Sequence, residues 1–185
     1  MTISIIDSYS ETYTPASGYG LISSDPNWLQ GMGQSFTAIA TYVILDSAKW
    51  YLKYAGSAPI GSAYAKVYNY TGTPGSTAKP TGSALATSDA FDASTVSNVW
   101  TLETFTFSGA NRIELTPTSK YILTIEFAGT NYLYCAYDYD APVHSGNSCW
   151  KQYGAWDYDA ADLPFYVYGE DVVIPHTKRQ FPLWL

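Results

Sequence analysis

The sequence predicts an all-β fold, an antiparallel two-sheet β-sandwich of jelly-roll-like type, on three observations. Tyr, Trp and Phe account for 18, 6 and 7 of the 185 residues. Ser and Thr are also abundant, Lys and Glu are scarce, and aromatic and β-branched residues suit a pleated, half-buried surface better than a helix. Apolar residues recur with period two along much of the chain, and no segment sustains the 3.6-residue period of an amphipathic helix. Clusters of Gly, Pro, Ser, Thr and Asn separate these runs without a helical pattern between them.

Taken in order, Thr2 to Tyr9 reads as a strand with Ile3 and Ile5 on one face, a natural sheet edge or a strand exchanged with a neighbouring subunit. Ala48, Trp50, Leu52 and Tyr54 alternate with Lys49, Tyr51 and Lys53, which predicts a strand with one face in the core. The same alternation marks Ala63 to Tyr70. It recurs in Val99 to Phe107, with Val99, Phe105 and Phe107 on one face, and in Tyr121 to Phe127, with Tyr121, Leu123, Ile125 and Phe127 inward. Phe165-Tyr166-Val167-Tyr168 predicts the last core strand. Turn formers concentrate at Ser23 to Gly33, Thr71 to Gly75, Lys79 to Gly82, Ser108 to Asn111 and Ala141 to Ser148, giving about eight to ten strands. The long excursions Thr71 to Gly82 and Ala141 to Ser148 predict crossings between sheets rather than a meander. Residues 1–170 are expected to form one domain, with 1–10 as the edge or exchanged strand. Residues 171–185 form an apolar tail that packs back on its own sandwich or docks on another chain. Ile3, Ile5, Phe181, Leu183 and Trp184 are the candidate assembly residues.

Charge narrows the function classes. With 9 Lys+Arg against 16 Asp+Glu, the formal net charge is −7, and no basic run offers a footprint for nucleic acid or an anionic membrane. No uncharged apolar run approaches the ~20 residues of a membrane span. The start, Met1 to Asp7, lacks a basic region and an uninterrupted apolar stretch, so no signal peptide is expected.

Several segments together resemble a known type of protein. Gly33-Gln34-Ser35-Phe36-Thr37, Leu45 to Lys53, Tyr64-Ala65-Lys66-Val67-Tyr68, Pro80 to Asp89, Phe105 to Asn111, His144-Ser145-Gly146-Asn147 and Phe165 to Gly169 resemble short Tyr/Ser/Thr-rich β-sandwich proteins of bacteriophage and uncultured-microbe genomes. The resemblance implies an accessory virion or surface-display module with a jelly-roll-like sandwich and no assigned catalysis. It carries no catalytic residues to transfer. Cys135, Cys149 and the tail after Gly169 fall outside the shared pattern.

Chemistry-bearing residues concentrate late in the chain. Asp138 and Asp140 lie two apart, as do Asp157 and Asp159, and on an extended chain such spacing turns both carboxylates of a pair to one side. Calcium is the cation this oxygen-rich pattern suggests, against the alternative that these are solvated loop residues, and no Asp-x-Asp-x-Asp-Gly loop occurs. Tyr137, Trp150, Tyr153, Trp156 and Tyr158 lie among them, and aromatic rings beside carboxylates and amides suit a sugar-binding or protein-binding surface. Cys135 and Cys149 fit a disulfide, two free buried thiols or part of a metal site. A disulfide would close a short loop, contributing about 3 kcal/mol at most. His144 and His176 lack the partners of a catalytic triad or a zinc protease, and Gly18-Tyr19-Gly20 lacks the strand-to-helix context of a dinucleotide fingerprint. Paired carboxylates across a cleft would permit glycoside hydrolysis, but sequence does not supply their separation.

These readings predict a non-enzymatic structural or decoration component of a virion or other extracellular assembly. It would oligomerise through its terminal segments or join other virion proteins. The alternative is an adhesion module that binds a cell-surface glycan or receptor through the Tyr132 to Asp162 region.

Overall fold

A computed structural model describes residues 2–9, 17–25, 27–41, 43–139 and 142–171. Its strands are β1 (Ile3–Tyr9), β2 (Ser17–Leu21), β3 (Gly31–Thr37), β4 (Val43–Tyr54), β5 (Ile60–Thr71), β6 (Lys79–Thr87) and β7 (Phe91–Asp92), followed by β8 (Thr101–Thr106), β9 (Glu114–Leu115), β10 (Lys120–Thr130), β11 (Leu133–Tyr137), β12 (Ser148–Gln152), β13 (Ala155–Asp159) and β14 (Phe165–Asp171). All named strand pairs run antiparallel, and they form two sheets, as the period-two pattern predicts.

The first sheet is organised by β4. Ser47 to Trp50 pair with β8 on one side and β14 on the other, while Leu52 pairs with both β8 and β11. Strands β14 and β11 therefore lie end to end along one side of β4, with β1 outside β14 and β2 outside β11. The second sheet runs β13-β12-β3-β10-β5, and β6 and β7 share the far side of β5. Neighbours distant in sequence, such as β1 with β14 and β3 with β10, give the crossings of a jelly-roll-like sandwich.

The core sits between the sheets where the alternation placed it. Ala48, Trp50 and Leu52 of β4 are fully buried and face Ala63, Ala65 and Val67 of β5 together with Leu123, Ile125 and Phe127 of β10. Burying each large side chain of this set contributes about 1.5 to 3 kcal/mol relative to exposure. The positions one residue along turn outward, and Lys49 and Lys53 lie over the rings of Tyr168 and Trp100 at 5.0 and 4.4 Å. No described helix is long and apolar enough to cross a membrane.

Four local expectations change. Val99 is 61% exposed and precedes the strand, because β8 starts at Thr101 and only Phe105 and Phe107 continue into the core. Lys79 to Gly82 form the start of β6 rather than a turn, and Pro80 is tolerated because β6 is an edge strand that needs no second row of amide donors. Thr71 to Gly82 does not cross between sheets: β5 and β6 are direct neighbours, and residues 72–78 fold back over the outer face of the second sheet. Ala78 there joins Tyr68, Ile122 and Cys149 in a small second core, with Trp156 packed on it. The strand count exceeds the expected eight to ten, and the two-residue pairings β7 and β9 account for part of the excess. Strands β11 and β12, which precede and follow the second excursion, do lie in different sheets.

Candidate binding groove at the open seam of the sandwich

Strands β1 and β2 at the rim of one sheet face β3, β12 and β13 of the other, and two features occupy this seam. The first is a polar lock. Tyr9 Oη donates to Asp138 Oδ2 at 2.5 Å, and Asp138 and Asp162 exchange both backbone hydrogen bonds at 2.7 and 2.9 Å. The Asp162 carboxylate accepts from Gln34 Nε2 and from the His144 amide, each at 2.8 Å, and Gln34 Oε1 accepts the Leu163 amide at 3.0 Å. The Gly146 amide donates to His144 Nδ1 at 3.0 Å, which places the ring proton on Nε2, facing Asp7 Oδ1 at 3.3 Å. Asp7 in turn accepts the Thr37 amide at 2.8 Å.

Burial drives the Asp162 carboxyl above its ordinary value, and the neighbouring Asp138 adds to this against the His144 and Gln34 donors. Asp138 and Asp162 are 6% and 1% exposed, so this carboxylate pair is turned inward and committed to joining the sheets. A pair flanking an open cleft, which glycoside hydrolysis needs, is a different arrangement.

The second feature is an open groove of about 290 Å3 beside the lock. Tyr19 of β2 and Trp28 of the 22–30 loop are 40% and 48% exposed, and with Trp150 of β12 they supply its rings. Leu29 adds an apolar wall, and Asn27, Gln152 and Asp159 add polar groups. Alternation explains the inward aim of Tyr19, since Leu21 on the same face of β2 is fully buried while the intervening Gly20 faces outward under Tyr132 and Tyr134. Gly18 is required because a Cβ there would collide with Trp100.

The groove walls are held in place before any ligand arrives. Gln30 N donates to the Lys151 carbonyl at 2.7 Å, Ile22 N to the Leu29 carbonyl at 2.8 Å, and Gly154 N to Gln30 Oε1 at 3.0 Å. Asn27 is fixed by Asp25 Oδ1, which accepts both its amide and its Nδ2 at 2.9 and 2.8 Å. The β12–β13 hairpin pairs Gln152 with Ala155 across a two-residue loop, and Tyr153 and Gly154 there have φ of +53° and +77°. This is the twist-matched primed turn, but Tyr in its first position is unusual because a side chain disfavours positive φ. The Tyr153 hydroxyl donates to Asn27 Oδ1 at 3.2 Å, tying the hairpin tip to the opposite wall. Tyr137 stacks on Tyr19 at 4.4 Å and Tyr132 meets Trp28 edge-on at 5.2 Å, so both exposed groove rings are braced from behind.

The sequence-derived aromatic set is therefore divided. Trp150 lines the groove, Tyr137 supports Tyr19 and Tyr153 anchors Asn27. Trp156 and Tyr158 are not with them, because alternation along β13 turns both to the outer face. There Trp156 meets Tyr68 at 6.3 Å and Lys151 at 5.7 Å, and Tyr158 lies 6.0 Å from Lys79. Sequence reasoning missed Tyr19, Asn27, Trp28 and Gln152. The available signals were a tryptophan inside the Ser23 to Gly33 turn cluster and a tyrosine between two glycines.

The described members of the proposed cation set are also separated. Asp138 is held by Tyr9, Asp157 pairs with Lys79 at 3.6 Å, and Asp159 faces the groove. Asp140 lies outside the described residues, as do Phe181, Leu183 and Trp184. Among the described residues no three His, Cys, Asp or Glu side chains converge as a metal site. The disulfide alternative is not realised: Cys135 and Cys149 are free. Cys135 faces the main core from one sheet and Cys149 the small outer core of the other. Burial raises both thiols above their ordinary value, and for Cys149 the Glu126 charge adds to it.

A second surface depression lies over the outer face of the second sheet, around Lys66, Glu126 and Lys151. Burial alone would raise the Glu126 carboxyl, but the Tyr68 hydroxyl and the two ammonium groups outweigh it and hold it below its ordinary value. The lysines contact Glu126 at 3.3 and 2.9 Å, so their charge is spent internally.

Family models, curated proteins and solved structures provide no match to this chain, so the functional argument rests on its own residues.

Proposed function

We propose that this protein is a glycan-binding adhesion module whose ligand sits in the seam groove. The observation that carries the reading is the groove itself: Trp28, Tyr19 and Trp150 beside Asn27, Gln152 and Asp159, on walls already tied together by hydrogen bonds. Aromatic rings stack on the C–H faces of sugars, while carboxamides and a carboxylate bond the hydroxyls, and preformed walls avoid the ordering cost of closing around a ligand. An adhesion module of this kind fits the surface-display role implied by the resemblance.

Affinity electrophoresis in gels containing a panel of polysaccharides tests this. The wild type is expected to be retarded by at least one of them, and Trp28→Ala to lose about tenfold or more in affinity, the equivalent of one lost ring contact. Because Trp28 is only half buried, against Tyr132, its replacement should lower unfolding stability by about 1 to 3 kcal/mol and leave the sandwich folded. Absence of retardation across the panel, or unaltered retardation of Trp28→Ala, overturns the reading.

A second reading, assembly through the N-terminal edge, draws on one observation. Ile3 and Ile5 are 56% and 43% exposed on β1, an edge strand that pairs with β14 alone among the described strands. Exposed apolar edge strands are templates for pairing with another chain. Light scattering on the eluted full chain is expected to show a discrete oligomer under this reading, and a monomer across the micromolar range would remove it.

A further inference from the structure

Resting on the glycan-binding reading, the charge of the groove says more about the ligand. We infer that the groove takes a sugar bearing a free ammonium group, an amino sugar, in preference to its neutral counterpart. Among the described residues, three aromatic rings and one carboxylate line the groove, and no Lys or Arg does. Asp159 Oδ1 accepts the Ala160 amide at 2.7 Å, and Asp159 makes no ion pair among the described residues. The basic groups on the same hairpin and its neighbour are committed elsewhere, Lys151 to Glu126 at 2.9 Å and Lys79 to Asp157 at 3.6 Å.

Asp159, without a counter-charge among the described residues, therefore presents its negative charge in a recess lined by three aromatic rings. A positive nitrogen is attracted by both, and cation–π attraction strengthens as the site loses water. Burial first, then the adjacent Tyr137 and the Asp159 charge, hold the Tyr19 hydroxyl above its ordinary value, so this ring enters the groove uncharged. The other described groove side chains, Asn27, Gln152 and Leu29, are neutral, so none of them repels an ammonium.

The test is a tryptophan-fluorescence titration of the full chain at pH 6 and fixed ionic strength. The probes are glucosamine oligomers with free amines and their fully N-acetylated equivalents of equal length. The wild type is expected to bind the free-amine oligomer at least tenfold more tightly, Asp159→Asn to bind both equally, and Trp28→Ala to lose affinity for both. Equal binding of the two oligomers by the wild type, with loss in Trp28→Ala, overturns this inference and leaves the glycan-binding reading standing. A free-amine preference that persists in Asp159→Asn also overturns it, since attraction of a polycation to a chain of net charge −7 needs no groove. Binding of neither oligomer overturns it too, and the polysaccharide panel then decides separately whether the broader reading survives.

Discussion

Gln34→Leu is expected to lower the stability of the fold by about 3 kcal/mol at neutral pH, among the largest losses available to a single side chain outside the apolar core. Gln34 is fully buried, donates to Asp162 and accepts from the Leu163 amide. Leucine fills similar space but leaves a buried carboxylate with one donor fewer and a buried amide with no acceptor. The loss should depend on pH in a direction set by Asp162. Its native carboxyl is raised by burial, so the native state holds this proton more tightly than the unfolded chain does. The contribution of this group therefore favours folding below the unfolded carboxyl value of about 3.9 and is lost as pH rises through the raised native value. Removing the Gln34 donor raises the native value further. The deficit of the variant is thus greatest at neutral pH and shrinks on acidification, down to the part due to the orphaned Leu163 amide. Urea unfolding of both proteins from pH 7 to pH 4 checks this, and a deficit constant across that range would show that the Gln34–Asp162 contact carries none of it.

Asn147→Ala should cost a similar amount, about 3 kcal/mol, and should act on a different part of the molecule. Asn147 is 3% exposed, and its Oδ1 accepts the Gly75 and Ala78 amides at 3.1 and 3.3 Å. Its Nδ2 donates to the Ala78 and Ser148 carbonyls at 2.9 and 2.8 Å. This one side chain thus ties the 72–78 excursion to the outer face of the second sheet, where Ala78 closes the small core over Cys149. Alanine removes these four bonds and a longer fifth from Ser35 Oγ at 3.5 Å, and takes their partner from the Gly75 and Ala78 amides and the Ala78 carbonyl. Hydrogen exchange is expected to accelerate at residues 73–78 while the β10 amides keep their protection. A loss below 1 kcal/mol with unchanged exchange would mean that Ala78 and its neighbours hold the excursion without Asn147.

The two cases sit at different distances from what the sequence reveals. Period-two alternation in Ala48 to Tyr54 and Tyr121 to Phe127 identifies the core strands and their inward residues, because a pleated strand buried on one face leaves that pattern whatever its partner. The same rule separates Leu133, Cys135 and Tyr137 from Tyr132 and Tyr134. It says nothing about which strands are neighbours. The groove escapes it for that reason: Tyr19 and Trp28 are far from Trp150 in the chain and meet it only because the β2 edge of one sheet faces β12, next to the edge of the other. Trp156 and Tyr158 lie close to Trp150 in sequence, and the alternation of β13 sends them to the other face.

The sequence by itself determined an all-β sandwich, the identity of its main core strands, and an acidic, aromatic-rich composition, because each follows from local periodicity or from a sum over residues. Tertiary structure decided which rings share a groove, that Asp138 and Asp162 lock the seam, and that Cys135 and Cys149 stay apart. These depend on strand order and on which face of which sheet each residue meets, and contacts between residues so distant in the chain leave no local pattern to read.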